Sequence, residues 1–196
     1  LFRSEAFVTR RSSLARGLLR ISAPTSFGRM HIAPHLAKFM RANPELHVNL
    51  DLSDSFVDIV SEGYDLAIRI GELPDSSLVA KRLAPVRRIL CATPQYLERK
   101  GEPAKLDDLE FHAVIAPQFQ GSWRLEGRSG LVHYRPNSTL LTNSSEVVRE
   151  TVIAGLGIAL RSTWDISEEL KSGILQRVLA DYSSSKGLGI FAVYAS

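Results

Sequence analysis

The stretch Val48-Asn-Leu-Asp-Leu-Ser-Asp-Ser-Phe-Val-Asp-Ile-Val-Ser-Glu-Gly-Tyr-Asp-Leu-Ala-Ile-Arg-Ile-Gly71 changes its apolar period twice, and those changes decide the fold. Val48, Leu50 and Leu52 alternate with polar residues, the two-residue period of a strand with one buried face. Ser53, Asp54 and Ser55 then offer an N-cap, and Phe56, Val57, Ile59 and Val60 predict a short helix ending at Gly63. Asp65 to Ile70 is apolar again and reads as a strand closed by Gly71. Upstream, Leu18, Leu19 and Ile21 open another strand, ended by Ser22-Ala-Pro-Thr-Ser26. Ile32, Leu36, Phe39 and Met40 then recur on one helix face. Pro34 leaves two readings of that helix: it starts near His31, or it kinks at the proline. Asn43-Pro44 ends it, because the residue before proline avoids the α region. Residues 17–71 therefore read strand, helix, strand, helix, strand, the rhythm of a parallel sheet with crossover helices.

The same rhythm continues downstream. Residues 78–84 and 86–92 predict two strands parted at Pro85. Thr93-Pro94 is a hydroxyl cap followed by proline at the first helical position, and that helix ends at Gly101. A turn at Leu106–Leu109 precedes a strand at Ala113–Ala116. Trp123–Leu125 and Leu131–Tyr134 suggest a hairpin around Gly127. A strand at 138–141 leads to Asn143-Ser-Ser-Glu146, read as a capping box with asparagine at the cap. The helix behind it, with Val147, Val148, Thr151 and Val152 on its inner face, stops at Gly155. Residues 157–160 predict a strand, 164–171 a helix, and 174–179 and 188–194 two more strands. Two α/β lobes with a cleft between them follow, and ligands of such sheets sit at the carboxyl ends of parallel strands.

The composition is that of a globular chain: 196 residues, 44% hydrophobic and 23% charged, with a formal net charge of +3. The basic pairs Arg10-Arg11, Lys81-Arg82 and Arg87-Arg88 read as solvated faces or linker rather than a nucleic-acid surface. The single cysteine, Cys91, permits no internal disulfide and suits a cytoplasmic setting. It lies in an apolar run and reads as a small buried hydrophobe. No apolar stretch approaches the ~20 residues of a membrane span. Leu1 is not methionine, so the chain reads as an excised fragment whose residues 1–16 are a linker remnant. The strand at 188–194 has no helix after it, which predicts a lost C-terminal helix.

The residues argue against catalysis. The five histidines form no HExxH pattern. His31 and His35 share a helix face but have no third ligand nearby, so surface histidines are the better reading than a metal pair. No nucleophile elbow or phosphate loop is present, and Gly155-Leu-Gly157 follows a helix, where a C-cap and a tight turn explain it. Binding groups are better represented. Thr25-Ser26, Ser53-Asp54-Ser55 and Asn143-Ser144-Ser145 each open a helix, whose free N–H groups suit a carboxylate or phosphate. Simple capping needs the same residues and is the default for any one of them. Arg69 sits within an apolar strand, where a charge is costly unless paired. It pairs with Asp65 or another acid inside the lobe, or it faces the cleft for an anionic ligand.

Several blocks together carry a family resemblance. Gly17-Leu-Leu-Arg-Ile-Ser-Ala-Pro-Thr-Ser-Phe-Gly28 and the proline-containing helix at 31–44 resemble the opening of the effector-binding domain of LysR-type transcription regulators. Asp58–Gly71 is similar to that family's most recognisable block, followed by Asp75–Ala80. Thr93–Leu97, Gly101, Pro103, Leu106–His112 and Ile153–Leu160 extend the likeness over about residues 15 to 194. The resemblance implies an α/β fold of two Rossmann-like lobes joined by two crossover strands, periplasmic-binding-protein-like (type 2). Lobe I would comprise 17–88 plus 181–196, and lobe II 89–180. It implies a small-molecule effector in the interlobe cleft near Thr25, Ser26, Ser53, Arg69, Pro117, Asn143 and Gly155 to Ile158. Phe27 and Ile158 would form an apolar wall, and the hydroxyls and arginine hint at a carboxylate. It also implies DNA binding through an N-terminal helix-turn-helix domain absent from this chain, a homodimer, a tetramer at full length, no cofactor and no metal.

Two other readings share this frame. A periplasmic-type solute receptor would have an exported leader and no DNA reader. An enzyme would need paired acid–base groups in the cleft, and none is evident in the sequence.

Overall fold

The computed structural model describes residues 16–55, 58–73 and 76–195. The linker reading of 1–16 lies almost wholly outside them. The chain begins with β1 (Gly17–Ala23), whose last three residues are buried. A single turn, α1 (Thr25–Phe27), runs through a π-wound segment, Gly28–Ile32, into α2 (Ala33–Ala42). Pro34 is the second residue of α2 and so lies in its first turn, as the first reading has it, and the winding continues through it from α1. The wider turn places the Ala33 N–H on the Gly28 carbonyl directly before the proline, which lets the helix continue past it.

β2 (Leu46–Leu52) alternates half-buried and exposed residues as its sequence period requires. The segment after it is not the short helix its sequence predicts. Among its described residues, 53–55 bend and 59–63 form one hydrogen-bonded turn; Phe56 and Val57 lie outside the described residues. Asp58 explains the shortfall: its carboxylate accepts from the Val60 and Ser61 N–H groups, and Gly63 at φ +69° ends the turn. β3 (Leu66–Gly71), β4 (Val79–Pro85) and β5 (Arg88–Ala92) follow.

α3 (Pro94–Lys100) is capped by the Thr93 hydroxyl, which accepts from the Tyr96 N–H at 3.2 Å. A 3₁₀ turn (Leu106–Phe111) leads to β6 (Val114–Ile115) and then the hairpin β7 (Trp123–Gly127) and β8 (Gly130–Tyr134). No strand forms at 138–141. Ser138 makes one isolated bridge to Val114, and its hydroxyl caps the Ala116 and Leu140 N–H groups locally. α4 (Ser145–Ile153) is capped by Ser144, not Asn143: the Ser144 hydroxyl accepts from Val147 N–H, and Asn143 is exposed one residue outside. β9 (Ile158–Ser162), α5 (Ser167–Lys171), β10 (Gln176–Arg177) and β11 (Gly189–Tyr194) complete the chain. α5 is shorter than predicted at its start, and of the strand expected at 174–179 only two residues pair.

Two sheets result. The first has the order β2-β1-β3-β11-β4, with β1 parallel to β2 and β3, and β11 inserted antiparallel between β3 and β4. The second has the order β10-β5-β9-β6, with only β6 and β9 parallel. β9 is buried along its whole length, as expected of a strand covered on both faces. One side of the second sheet packs Trp123, Leu125, Leu160 and Val178; the other packs Val148 and Val152 of α4 with Ile166.

The chain passes between lobes twice, around 86–88 and 183–188, and the two passages bond to each other. Arg88 N–H donates to Ser184 at 2.7 Å, Ser184 N–H returns a bond at 2.9 Å, and Val86 N–H donates to Leu188 at 3.4 Å. The hinge is therefore a short antiparallel ribbon with the cleft beside it.

Candidate effector cleft

The carboxyl end of β1 delivers Pro24 and Ser26 to the cleft, the end of β2 delivers Asp54, and the end of β3 delivers Ile70 to Glu72. From the other lobe come Pro117, Phe119, Trp123, Arg124, Ser145, Arg161 and Trp164, while Arg88, Ser184 and Lys186 come from the hinge. Together they enclose about 520 Å³, within the range of small-molecule sites.

Asp54 spans the cleft. One carboxylate oxygen accepts from the Thr25 N–H at 2.9 Å and the other from the Ser145 N–H at 2.6 Å. Two ion pairs reinforce this lobe contact: Arg29 with Glu146, and Arg124 with Glu72 at 2.6 Å. Trp164 stacks edge-on against Phe27 and His31, both at 5.4 Å between ring centres.

Behind Ser145 lies a buried ionic network. Arg161 holds Asp165 through Nε at 2.9 Å and through a second nitrogen, and donates to the Ser145 hydroxyl at 3.0 Å. Arg149 donates to the Asp165 carbonyl at 3.1 Å and pairs with Glu169 and Glu150. Arg161 is thus neutralised where it reaches the cleft. Arg88 is different. Among the described residues its guanidinium makes no ion pair and no side-chain hydrogen bond, and burial lowers its pKa, with the nearby Arg161 charge adding to the effect. Near the hinge, Glu126 accepts from Lys186 N–H at 2.6 Å and from Ser185, which holds its carboxyl below the usual range.

Four polar atoms on cleft residues are buried without a hydrogen-bond partner among the described residues: Ser26 Oγ, Trp123 Nε1, Trp164 Nε1 and Asp165 Oδ1, the last ion-paired with Arg149 at 3.7 Å. Indole nitrogens only donate, and a serine hydroxyl can donate as well. Asp165 Oδ1 is compensated by Arg149, so the groups left with neither a hydrogen bond nor an ion pair among the described residues, Arg88 among them, are able to donate.

Of the residues named from the sequence, Ser26 and Pro117 line the cleft. Thr25 contributes its backbone N–H to Asp54, and Phe27 packs on Trp164. The others lie apart. Ser53 turns its hydroxyl to the Ser55 N–H, and Asn143 is exposed beyond the Ser144 cap. Gly155 closes the far end of α4, and Ile158 is fully buried in the core of the second sheet. Arg69 faces the Glu62 and Tyr64 side of β3, away from the cleft-lining Ile70. His31 lies against the aromatic pair, and no cluster of three potential metal ligands exists among the described residues.

Sequence reasoning missed Arg88, Arg161, Asp54, Trp123 and Trp164 as cleft residues. Arg161 gave the same signal as Arg69, a charge at the end of an apolar strand. Arg88 was hidden in a basic pair, and Asp54 in a capping trio.

A hinged pair of α/β lobes around a polar cleft defines a ligand-receiving module. The chain matches the family described as LysR substrate binding domain over residues 12–196. The HTH-type transcriptional regulator DmlR of Escherichia coli K12 is 38% identical over 185 residues, covering 92% of this chain and 60% of that protein. The HTH-type transcriptional activator TtdR of the same strain is 38% identical over 192 residues, covering 95% of this chain and 61% of that protein. Among solved structures, full-length AphB of Vibrio cholerae superposes with a TM-score of 0.82 at 31% identity, covering 93% of this chain and 63% of that one. The CrgA regulatory domain of Neisseria meningitidis gives 0.81 at 28% identity, covering 93% and 90%. This chain belongs to the LysR substrate-binding domain family, the effector-sensing part of LysR-type regulators. It spans about three fifths of the length of the curated relatives it matches.

Proposed function

We propose that this chain senses a small anionic metabolite, a carboxylate, within a cytoplasmic transcription regulator and works no covalent chemistry. The observation that carries the ligand class is a set of donors on cleft-lining residues, Arg88, Ser26 Oγ, Trp123 Nε1 and Trp164 Nε1, that have no acceptor among the described residues. Buried donors left unpaired are costly, and a carboxylate offers about four acceptor sites. The half-apolar lining from Ile70, Phe119 and Leu188 suits a short carbon body.

Effector binding acts through the hinge ribbon. A ligand held between Arg88 and the opposite lobe favours one arrangement of the lobes, and regulation follows from its different affinity for two arrangements. DNA contact belongs to a helix-turn-helix domain of the kind the relatives' names specify. A homodimer is supported by α2, which has no buried residue and exposes Phe39 and Met40.

The test is a thermal-shift screen of small carboxylic acids beside their methyl esters at matched ionic strength. An acid at about 100 times its dissociation constant stabilises the chain by about 2.7 kcal/mol, and its ester does not. Equal shifts from acid and ester, or no shift from any acid, contradict the reading.

A further inference from the structure

Asp54 does something unusual for a cleft acid: it satisfies donors that an anionic ligand would otherwise take. Its two oxygens occupy the Thr25 and Ser145 N–H groups, which belong to opposite lobes and are 2.9 and 2.6 Å away. Ser145 opens α4, a nine-residue helix, so the bond also meets the positive end of its dipole. Ser26, next to Thr25, is only 3% exposed, lines the same cleft, and has no partner for its hydroxyl among the described residues. Arg161 reaches the Ser145 hydroxyl at 3.0 Å. The place is therefore built for an anion, and a side chain of the protein itself is seated there with one neighbouring donor unused.

We propose that Asp54 is a tethered competitor for the effector's carboxylate: the effector binds by displacing it from between the Thr25 and Ser145 N–H groups and adds the bond to Ser26 that Asp54 does not make. This rests on the anion-sensing reading above. Two consequences follow from the geometry. A tethered group acts at a high effective concentration, so an anion lacking other contacts cannot displace it. An effector that also engages Arg88, on the hinge, can. Asp54 thereby converts a general carboxylate site into a selective one, and its release frees the bond joining the two lobes at that point.

Acetate, a small carboxylate close in structure to the deleted side chain, is the probe. It is titrated into the wild-type chain, Asp54→Ala and Asp54→Asn, with sodium chloride at equal ionic strength as the control. Binding is followed by the amide resonances of Thr25 and Ser145 and by the melting temperature. Asp54→Ala is expected to bind acetate saturably and at least tenfold more tightly than wild type, with both amide resonances returning toward their wild-type positions. Asp54→Asn, whose single amide oxygen can accept from only one of the two N–H groups, is expected to show a smaller gain than Asp54→Ala. Should Asp54→Ala not fold, Asp54→Ser makes the same test. Equal acetate binding by wild type and a folded Asp54→Ala, or none by Asp54→Ala, overturns the competitor role. The sensing reading fails separately, when no acid in the screen stabilises wild type or when its methyl ester does so equally.

Discussion

Asp165 shows how strongly single residues are committed here. It is 1% exposed and faces two guanidinium groups, Arg161 and Arg149. Removing one partner of a buried ion pair leaves a charge without compensation, at a cost of about 3–5 kcal/mol. Asp165→Ala is expected to lose that much in urea denaturation; a loss under about 1 kcal/mol would mean that Glu169 and solvent compensate. Cys91 is the opposite case. It is fully buried, donates to the Ala159 carbonyl at 3.6 Å, and burial pushes its thiol pKa up to about 12. The thiolate is the reactive form. A thiol reagent at neutral pH is therefore expected to label Cys91 only after denaturation, and rapid labelling of the native chain would contradict the packing.

Elements were legible where their limits are local. The end of α4 is an example: Leu156 N–H bonds to the Thr151 carbonyl and Gly155 N–H to that of Val152, with Gly155 at φ +78°. A side chain at Gly157 would collide with the Ala113 carbonyl. The GxG is thus a helix cap and a close strand approach, as its position after a helix implied. Thr93-Pro94 was equally readable, as was the hairpin read around Gly127, whose turn falls at 128–129. Elements set by side-chain competition were not. Asp58 caps its own turn, and Ser138 draws its neighbours out of strand pairing. The site was least legible, because Arg88 and Asp54 become cleft residues only once the hinge ribbon and two helix starts converge. The docking of α3 on the 3₁₀ turn gives a pH test. His112 meets the Tyr96 hydroxyl at 3.1 Å, and its pKa is lowered, mainly by burial, with Lys100 contributing against Asp108. Below the unfolded value of about 6.5 the unfolded chain binds the proton first, so stability falls as pH drops through that value. Between pH 7 and 5 His112→Gln is expected to lose less stability than wild type; an equal loss would exclude His112 as the cause.

At the scale of the whole molecule, the design is two larger sheets, a bonded hinge and a cleft crossed by Asp54, two ion pairs and an aromatic contact. The described contacts across the cleft are mostly polar, so a ligand acting at the hinge can bias the arrangement of the lobes. Arg88 is where that account is most exposed to test, since it is both desolvated and seated on the ribbon. The deciding measurement is calorimetric titration of the strongest acid from the screen into wild type and Arg88→Gln. Affinity is predicted to fall at least tenfold, about 1.4 kcal/mol, while the ligand-free variant melts no lower than wild type because a half-buried, partly desolvated charge with no ion pair among the described residues has gone. Undiminished affinity in Arg88→Gln would contradict the assignment of this cleft as a carboxylate sensor.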